Sequence, residues 1–135
     1  MRQTAPVRLR LITFGAVLLL LLISCEPRDE RTGARAIRSV PTGNAENGRE
    51  LLAAWGCGSC HHIPGVVGAK AYVGPPLDAW AERQFIAGTL ENTPENLIYW
   101  IMDPQEVEPG TAMPDTNVPE ATARDMAAYL YTLRP

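Results

Sequence analysis

Two cysteines and a histidine lie within five consecutive residues near the middle of the chain, at Cys57, Cys60 and His61. Two thiols at this spacing can each add to one vinyl group on the same porphyrin edge, and the histidine then lies beneath the iron as an axial ligand. A thioredoxin-like cysteine pair needs a βαβ surround, which the sequence does not indicate. A zinc site needs a second ligand pair, and only His62 and the distant Cys25 remain. The motif therefore predicts a domain folded around one covalently attached haem.

The first 24 residues have the composition of a signal peptide. Three arginines precede an apolar run, residues 11–23, which is short for a membrane span. The run ends at Ser24 and Cys25 and resembles the cleavage box of bacterial lipoproteins. This resemblance implies cleavage before Cys25 and lipidation of its thiol, which accounts for the one cysteine that the haem motif leaves over. The alternative is an uncleaved signal anchor in which Cys25 is a free thiol.

Residues 26–42 are rich in Arg, Pro, Gly, Ser and Thr and have no apolar period, which predicts a disordered tether. We therefore divide the chain into a signal peptide (1–24), a lipidated cysteine with a flexible tether (25–42) and one domain (43–135). Export also fits the haem, because thioether formation needs reduced cysteines delivered to an export-side assembly system. The expected location is the periplasm or the outer face of the bacterial cytoplasmic membrane, held there by the lipid.

The predicted domain is acidic. Residues 43–135 contain five basic and twelve acidic residues, a net charge of −7. This balance argues against nucleic acid and against direct docking on anionic lipid as functions of the domain. It suits a protein partner with a basic docking face, and the alternative is ordinary solubility charge.

Apolar periodicity in the domain predicts helices joined by long loops rich in Pro and Gly. Asn44 is the predicted N-cap of the first helix, and Thr93 with Pro94 opens the next long one, which Pro104 stops. A short amphipathic stretch covers residues 77–87, and no strand pattern exceeds a few residues. The predicted fold is all-α, with three to five helices around one haem. The three main helices are predicted at residues 44–55, at residues 93–103 and from residue 119 or 120 to residue 133.

Met113 lies in a Gly-x-x-Met-Pro pattern on the loop before the last helix. The order Cys-x-x-Cys-His, helix, Gly-x-x-Met-Pro, helix resembles a class I monohaem cytochrome c. Residues 83–105 resemble more particularly the cytochrome c domain that ends subunit II of caa3-type cytochrome oxidases. The resemblance runs from about residue 44 to residue 133, and the two transmembrane helices and the copper site of that subunit have no counterpart in this sequence. It implies a cytochrome c fold carried by a free-standing lipoprotein.

The resemblance also implies the second axial ligand, which is the thioether of Met113 opposite His61. Met102 and Met126 are the competing methionines, but both lie at inward positions of predicted helices and are expected in the core. His62 offers bis-His ligation in principle, yet it is adjacent to His61 and cannot reach the other haem face.

Pro75 matches the proline whose carbonyl accepts the Nδ1 proton of the axial histidine in this family, a bond that fixes the ring tautomer. The alternative is that Pro75 and Pro76 only stiffen a turn. The resemblance further implies that Gly48 and Leu52 cross the last helix near Met126 and Tyr129. Four side chains are candidates to line the haem crevice or to bind a propionate, with core packing or exposure to solvent as the alternative: Tyr72, Trp80, Arg83 and Trp100.

The predicted function is one-electron transfer in a respiratory chain, without enzymatic activity, because two filled axial positions leave no site for O₂ or peroxide. The expected donor is a quinol–cytochrome c reductase or a dehydrogenase, and the expected acceptor is a terminal oxidase. One alternative is an electron-transfer subunit of a dehydrogenase or oxidase complex. Another is a haem peroxidase or sensor in which Met113 can be displaced.

Overall fold

The computed structural model describes residues 39–135, so the predicted signal peptide, Cys25 and most of the predicted tether lie outside the described residues. Within residues 39–135, none of the helices has the length and apolar character needed to cross a membrane. This part of the chain contains four α-helices, two 3₁₀-helices and one two-stranded antiparallel sheet. The elements are α1 (Ala45–Ala54), the 3₁₀-helices Cys57–Ser59 and Trp80–Glu82, β1 (Phe85–Ile86), β2 (Leu90–Glu91), α2 (Pro94–Met102), α3 (Pro104–Val107) and α4 (Glu120–Leu130).

The first two long helices begin at the caps that the sequence predicts. The side chain of Asn44 accepts a hydrogen bond from the backbone N–H of Asn47 at 3.1 Å, which satisfies one of the free donors of the first turn of α1. Thr93 does the same for Asn96 at 3.2 Å, and Pro94 occupies the first helical position of α2. Both predicted N-caps are confirmed.

Helices α1 and α4 cross at Gly48, which is buried. A Cβ atom built on Gly48 would lie 2.5 Å from the carbonyl carbon of Asp125, and closer still to its oxygen. Asp125 also accepts hydrogen bonds from the backbone N–H of Asn44 at 2.8 Å and from Nδ2 of Asn47 at 2.6 Å. The close helix approach predicted at Gly48 is therefore confirmed, and Met126 in α4 is fully buried there.

Two local predictions need correction. Pro104 ends α2 as predicted, but it also begins the one-turn helix α3, because a proline that cannot continue one helix is well suited to the first position of the next. Residues 77–87 form a 3₁₀-helix and β1 in place of one amphipathic stretch. Positive φ angles at Ala87 and Gly88, 51° and 84°, turn the chain so that β1 pairs with β2.

A buried asparagine connects the hairpin to the last helix. Asn92 is fully buried, and its Nδ2 donates to the carbonyls of Trp80 and Arg83 at 3.1 and 3.0 Å. Its Oδ1 accepts a hydrogen bond from the hydroxyl of Tyr131 at 2.7 Å. Because every polar atom of the amide has a partner, the hairpin segment is fixed against the C-terminal end of α4.

Candidate functional site

The 3₁₀-helix Cys57–Ser59 presents the two thiols directly after α1. Gly56 adopts a positive φ of 73°, which ends the helix and turns the chain. The backbone N–H groups of Cys60 and His61 then both donate to the carbonyl of Cys57, at 3.3 and 3.0 Å. Cys57 and Cys60 are half-buried and are not joined by a disulfide. Both thiols are therefore available for covalent attachment of a group.

Burial raises the pKa of the Cys57 thiol, and the neighbouring Cys60 raises it further, while a backbone hydrogen bond opposes the shift. A raised pKa keeps this sulfur protonated at neutral pH, so Cys57 does not have the thiolate character of a redox-active cysteine pair. Within residues 39–135, no group of three or more His, Cys, Asp or Glu side chains is arranged to hold a metal ion. The thioredoxin-like and zinc alternatives thus gain no support from this part of the chain.

The imidazole of His61 is held from two sides. Its Nδ1 lies 2.7 Å from the carbonyl oxygen of Pro75. Since a carbonyl can only accept, Nδ1 carries a proton, and Nε2 is the nitrogen that can offer a lone pair to a metal. The ring also lies against the backbone of Gly74, where an added Cβ would be 2.5 Å from Cε1 and 2.8 Å from Nδ1. The backbone N–H of Gly74 donates to the carbonyl of Cys60 at 2.8 Å, so this segment is bound to the motif itself.

The side chain of His62 contacts other residues than the side chain of His61 does. Its Nδ1 lies 3.1 Å from Oδ2 of Asp78, and its ring stacks on exposed Tyr72 with centroids 5.4 Å apart and an interplanar angle of 6°. Its carbonyl accepts the N–H of Leu77 at 2.8 Å. These contacts close the loop that carries Gly74 and Pro75, and they assign His62 and Tyr72 to holding that loop.

Trp80 and Arg83 form a polar corner beside the same loop. Trp80 is 5% exposed, and its Nε1 finds no hydrogen-bond acceptor among the described residues. The Arg83 guanidinium lies 4.9 Å from the Trp80 ring centroid and donates to the carbonyls of Pro76 and Asp78. Burial lowers the pKa of Arg83, and the charge of Asp78 opposes this shift. A buried N–H without an acceptor beside a cation suits a carboxylate, which is the group that a haem propionate supplies.

Met113 lies on the loop between α3 and α4 and is half-buried. Its carbonyl accepts a hydrogen bond from Nε2 of Gln105 at 2.8 Å. By contrast, Met126 is fully buried in α4 and Met102 packs against the core at the end of α2, where the sequence places both. Of the three methionines within residues 39–135, only Met113 is carried by a loop. Trp100 is half-buried within α2.

The structure thus brings Cys57, Cys60, His61 and Pro75 together at the start of one loop, while Met113 lies on a second loop. Sequence reasoning missed three residues: Gly74 and Gln105, which hold these two loops, and Asn92, which holds the hairpin segment with Trp80 and Arg83. A glycine before two prolines and an amide directly after a helix-starting proline were the available signals for Gly74 and Gln105. Nothing local marks Asn92, because its partners are distant in the sequence. The thiol pair, the oriented imidazole and the polar corner together fit a covalently bound haem.

Comparison with known proteins identifies what this arrangement is similar to. The family model for cytochrome c matches residues 45–134. The chain is 40% identical over 90 residues to cytochrome c oxidase subunit 2 of Alkalihalophilus pseudofirmus, an alignment that covers 67% of this chain and 25% of that protein. It is 34% identical over 89 residues to cytochrome c oxidase subunit 2 of Bacillus subtilis, which covers 64% and 25% of the two chains. The chain therefore spans about a quarter of the length of these relatives.

A solved structure of cytochrome c2 from Rhodobacter sphaeroides has the same fold. The two superpose with a TM-score of 0.54 at 21% sequence identity, over 68% of this chain and 97% of the other. The predicted all-α fold with long loops is confirmed.

Proposed function

This chain belongs to the cytochrome c family, in which a covalently bound haem c carries electrons. We propose that His61 and Met113 would be the residues that hold the haem iron, and that the protein passes single electrons to a terminal oxidase. When bound, the haem supplies a one-electron ferric–ferrous couple. The chain supplies two thiols, Cys57 and Cys60, for attachment, and a neutral imidazole and a thioether as ligands. A site with one imidazole and one thioether favours the reduced state more than a site with two imidazoles does.

The observation that carries the proposal is the hydrogen bond of 2.7 Å between Nδ1 of His61 and the carbonyl of Pro75. This bond fixes the proton on Nδ1, so that Nε2 is the ligating nitrogen, and it makes that nitrogen more basic. Gly74 allows the ring to lie against the backbone, which restricts its rotation. An imidazole fixed in tautomer and orientation changes little between two oxidation states, as a carrier of electrons requires.

Ligation by Met113 is supported by its position on a loop, since the other two methionines of residues 39–135 pack into the core. The test is Met113→Ala in protein matured with its haem. We expect loss of the weak far-red band of ferric sulfur ligation, a lower reduction potential, and binding of carbon monoxide by the ferrous form. Met102→Ala is the matched control, and it should keep the band while lowering stability by about 2–5 kcal/mol at most. An unchanged spectrum in Met113→Ala contradicts the assignment.

The charge around the Met113 loop supports a basic docking partner. Exposed carboxylates flank this loop at Glu106 and Asp115, within a domain of net charge −7. Opposite charges steer such encounters and raise association rates, and added salt screens them. The docked complex is expected to be weak and short-lived, as electron-transfer complexes are.

Stopped-flow mixing of the reduced protein with a haem–copper oxidase at two ionic strengths tests this proposal. We expect rapid oxidation that slows as salt rises, and a slower reaction for Glu106→Gln. The matched control is Glu46→Gln, because Glu46 is also exposed but lies on a different element, in the first turn of α1. Equal rates for the two variants at low salt contradict docking at the Met113 loop. The absence of transfer to any such oxidase contradicts the choice of acceptor.

We propose further that the domain is exported and anchored through a lipidated Cys25, with residues 26–42 as its tether. The support is the sequence alone: a basic start, a short apolar run and a cysteine directly after it. Bacterial lipoproteins carry several acyl chains, which together hold a protein at a membrane more firmly than one chain does.

A second candidate function is a permanent electron-transfer subunit of an oxidase complex. It is favoured by the relatives, which are named as subunits of cytochrome c oxidase. Purification from native membranes distinguishes the two. A carrier leaves the oxidase at moderate salt, whereas a subunit co-elutes with it.

A further inference from the structure

One side chain spans the loop that carries Met113. Gln105, in the first turn of α3, uses both ends of its amide across this loop. Its Nε2 donates to the carbonyls of Thr111 and Met113, each at 2.8 Å. Its Oε1 accepts the backbone N–H of Gly110 at 3.1 Å. All three bonds reach the segment directly before and at the methionine, and both Nε2 bonds are partly buried.

The backbone around Gln105 holds the same loop at a second point. The backbone N–H of Gln105 donates to Oδ1 of Asp115 at 3.3 Å, on the far side of Met113. Thr116 donates from Oγ1 to the carbonyl of Ile101 at 2.6 Å, which fixes the continuation of the loop to α2. The loop has no regular secondary structure and one backbone bond, from the N–H of Thr111 to the carbonyl of Glu108 at 3.0 Å, so that side-chain bonds contribute most of what holds it.

We infer that Gln105 is a positioning residue for Met113, which holds the loop in the conformation that presents the thioether to the iron. The inference rests on the ligation proposed above. A thioether is an uncharged and weak donor, so its occupancy of an axial position depends on how firmly its backbone is held. Fixing the carbonyl of Met113 itself limits how far the side chain can withdraw, and it favours return after a transient dissociation.

The test is competition between the loop and free imidazole for the ferric iron of the mature protein. Imidazole binds only when the methionine is displaced, so its apparent affinity reports the fraction of protein with an open site. Removing the three bonds in Gln105→Ala is expected to tighten imidazole binding about tenfold to a hundredfold, the equivalent of about 1.4 to 2.8 kcal/mol.

A second variant, Gln105→Glu, keeps the shape of the side chain but replaces the donor by an oxygen that faces two carbonyls. We expect it to tighten imidazole binding at least as much as Gln105→Ala, because it adds repulsion to the loss of two donors. This variant separates the hydrogen bonds from the volume of the side chain. Ala53→Gly is the control, since it lowers stability from an exposed position on α1 without touching the loop, and its imidazole affinity should equal that of the wild type.

The outcomes are distinguishable. If Met113→Ala keeps the far-red band, the proposed ligand is wrong and the role of Gln105 is overturned with it. If that variant loses the band while both Gln105 variants bind imidazole within twofold of the wild type, only the positioning role is overturned. If Ala53→Gly also bound imidazole more tightly than the wild type, the effect would come from general destabilisation, and the positioning role of Gln105 would be overturned. Tighter binding by the Gln105 variants alone supports the inference.

Discussion

Replacing Gly48 by alanine is expected to push α1 and α4 apart where the two helices cross. The new Cβ atom would lie 2.5 Å from the carbonyl carbon of Asp125 and 3.0 Å from the backbone nitrogen of Met126. Normal carbon–carbon contacts are about 3.5 Å or longer, so the shortfall at the carbonyl carbon is about 1 Å. Both neighbours are backbone atoms that no rotamer change can move, and α1 and α4 must therefore shift apart.

The expected cost follows from three effects. Overpacking of this kind costs about 1–3 kcal/mol or more. The hydrogen bonds from Asn44 and Asn47 to Asp125 lie at the same crossing, and weakening them adds about 1 kcal/mol. Alanine is a better helix former than glycine and returns about 1 kcal/mol. We therefore expect a net loss of about 1–3 kcal/mol, which lowers the Tm of a domain of this size by about 4–24 °C.

Thermal and denaturant unfolding of the haem-loaded protein, followed by haem absorbance and by far-UV circular dichroism, measures this loss. Ala53→Gly in the same helix is the matched control, because Ala53 is exposed and the change tests helix propensity alone. It should cost about 1 kcal/mol. If Gly48→Ala were as stable as the wild type or more so, helix propensity would outweigh packing at this position. The close approach of α1 and α4 would then be wrong.

Three further predictions concern the two loops and the amino terminus. Gly74→Ala should displace the His61 ring, because the new Cβ would lie 2.5 Å from Cε1 of that ring. The reduction potential of the haem and the NMR shifts of His61 in the ferric protein should therefore change. Identical spectra for the variant and the wild type would refute this packing. Tyr131→Phe removes the hydroxyl that donates to the buried Oδ1 of Asn92, and it should lower the free energy of unfolding by about 1–3 kcal/mol, measured with denaturant. A loss below about 0.5 kcal/mol would mean that water replaces the missing hydroxyl as the donor. Cys25→Ser should abolish lipid attachment and leave an uncleaved precursor by mass spectrometry, whereas a mature amino terminus elsewhere would rule out the lipoprotein proposal.

Much of the fold was predictable because its signals are local. Asn44 and Thr93 cap their helices through bonds to residues three positions ahead, and the sequence displays such caps directly. The hairpin after Trp80 was not predictable, since strands of two residues have no measurable alternation and their turn uses a positive φ at Ala87, a residue type that rarely adopts it.

By itself the sequence determined the chemistry of this protein. The spacing of Cys57, Cys60 and His61 specifies covalent haem, and the family comparison confirms that cofactor and the cytochrome c fold. The role of Met113 and the lipid on Cys25 stay predictions, since the first concerns a ligand bond and the second lies outside the described residues.

Only the tertiary structure decided what holds these groups in position. The bond from Nδ1 of His61 to Pro75 was implied by resemblance, but the backbone of Gly74 against the same ring was visible only in the fold. Gln105 reaches Met113 eight positions away because α3 and the following loop fold back on each other. Asn92 meets Tyr131 across 39 positions. A sequence states which side chains are present, whereas such contacts exist only after the core has brought distant backbone segments together.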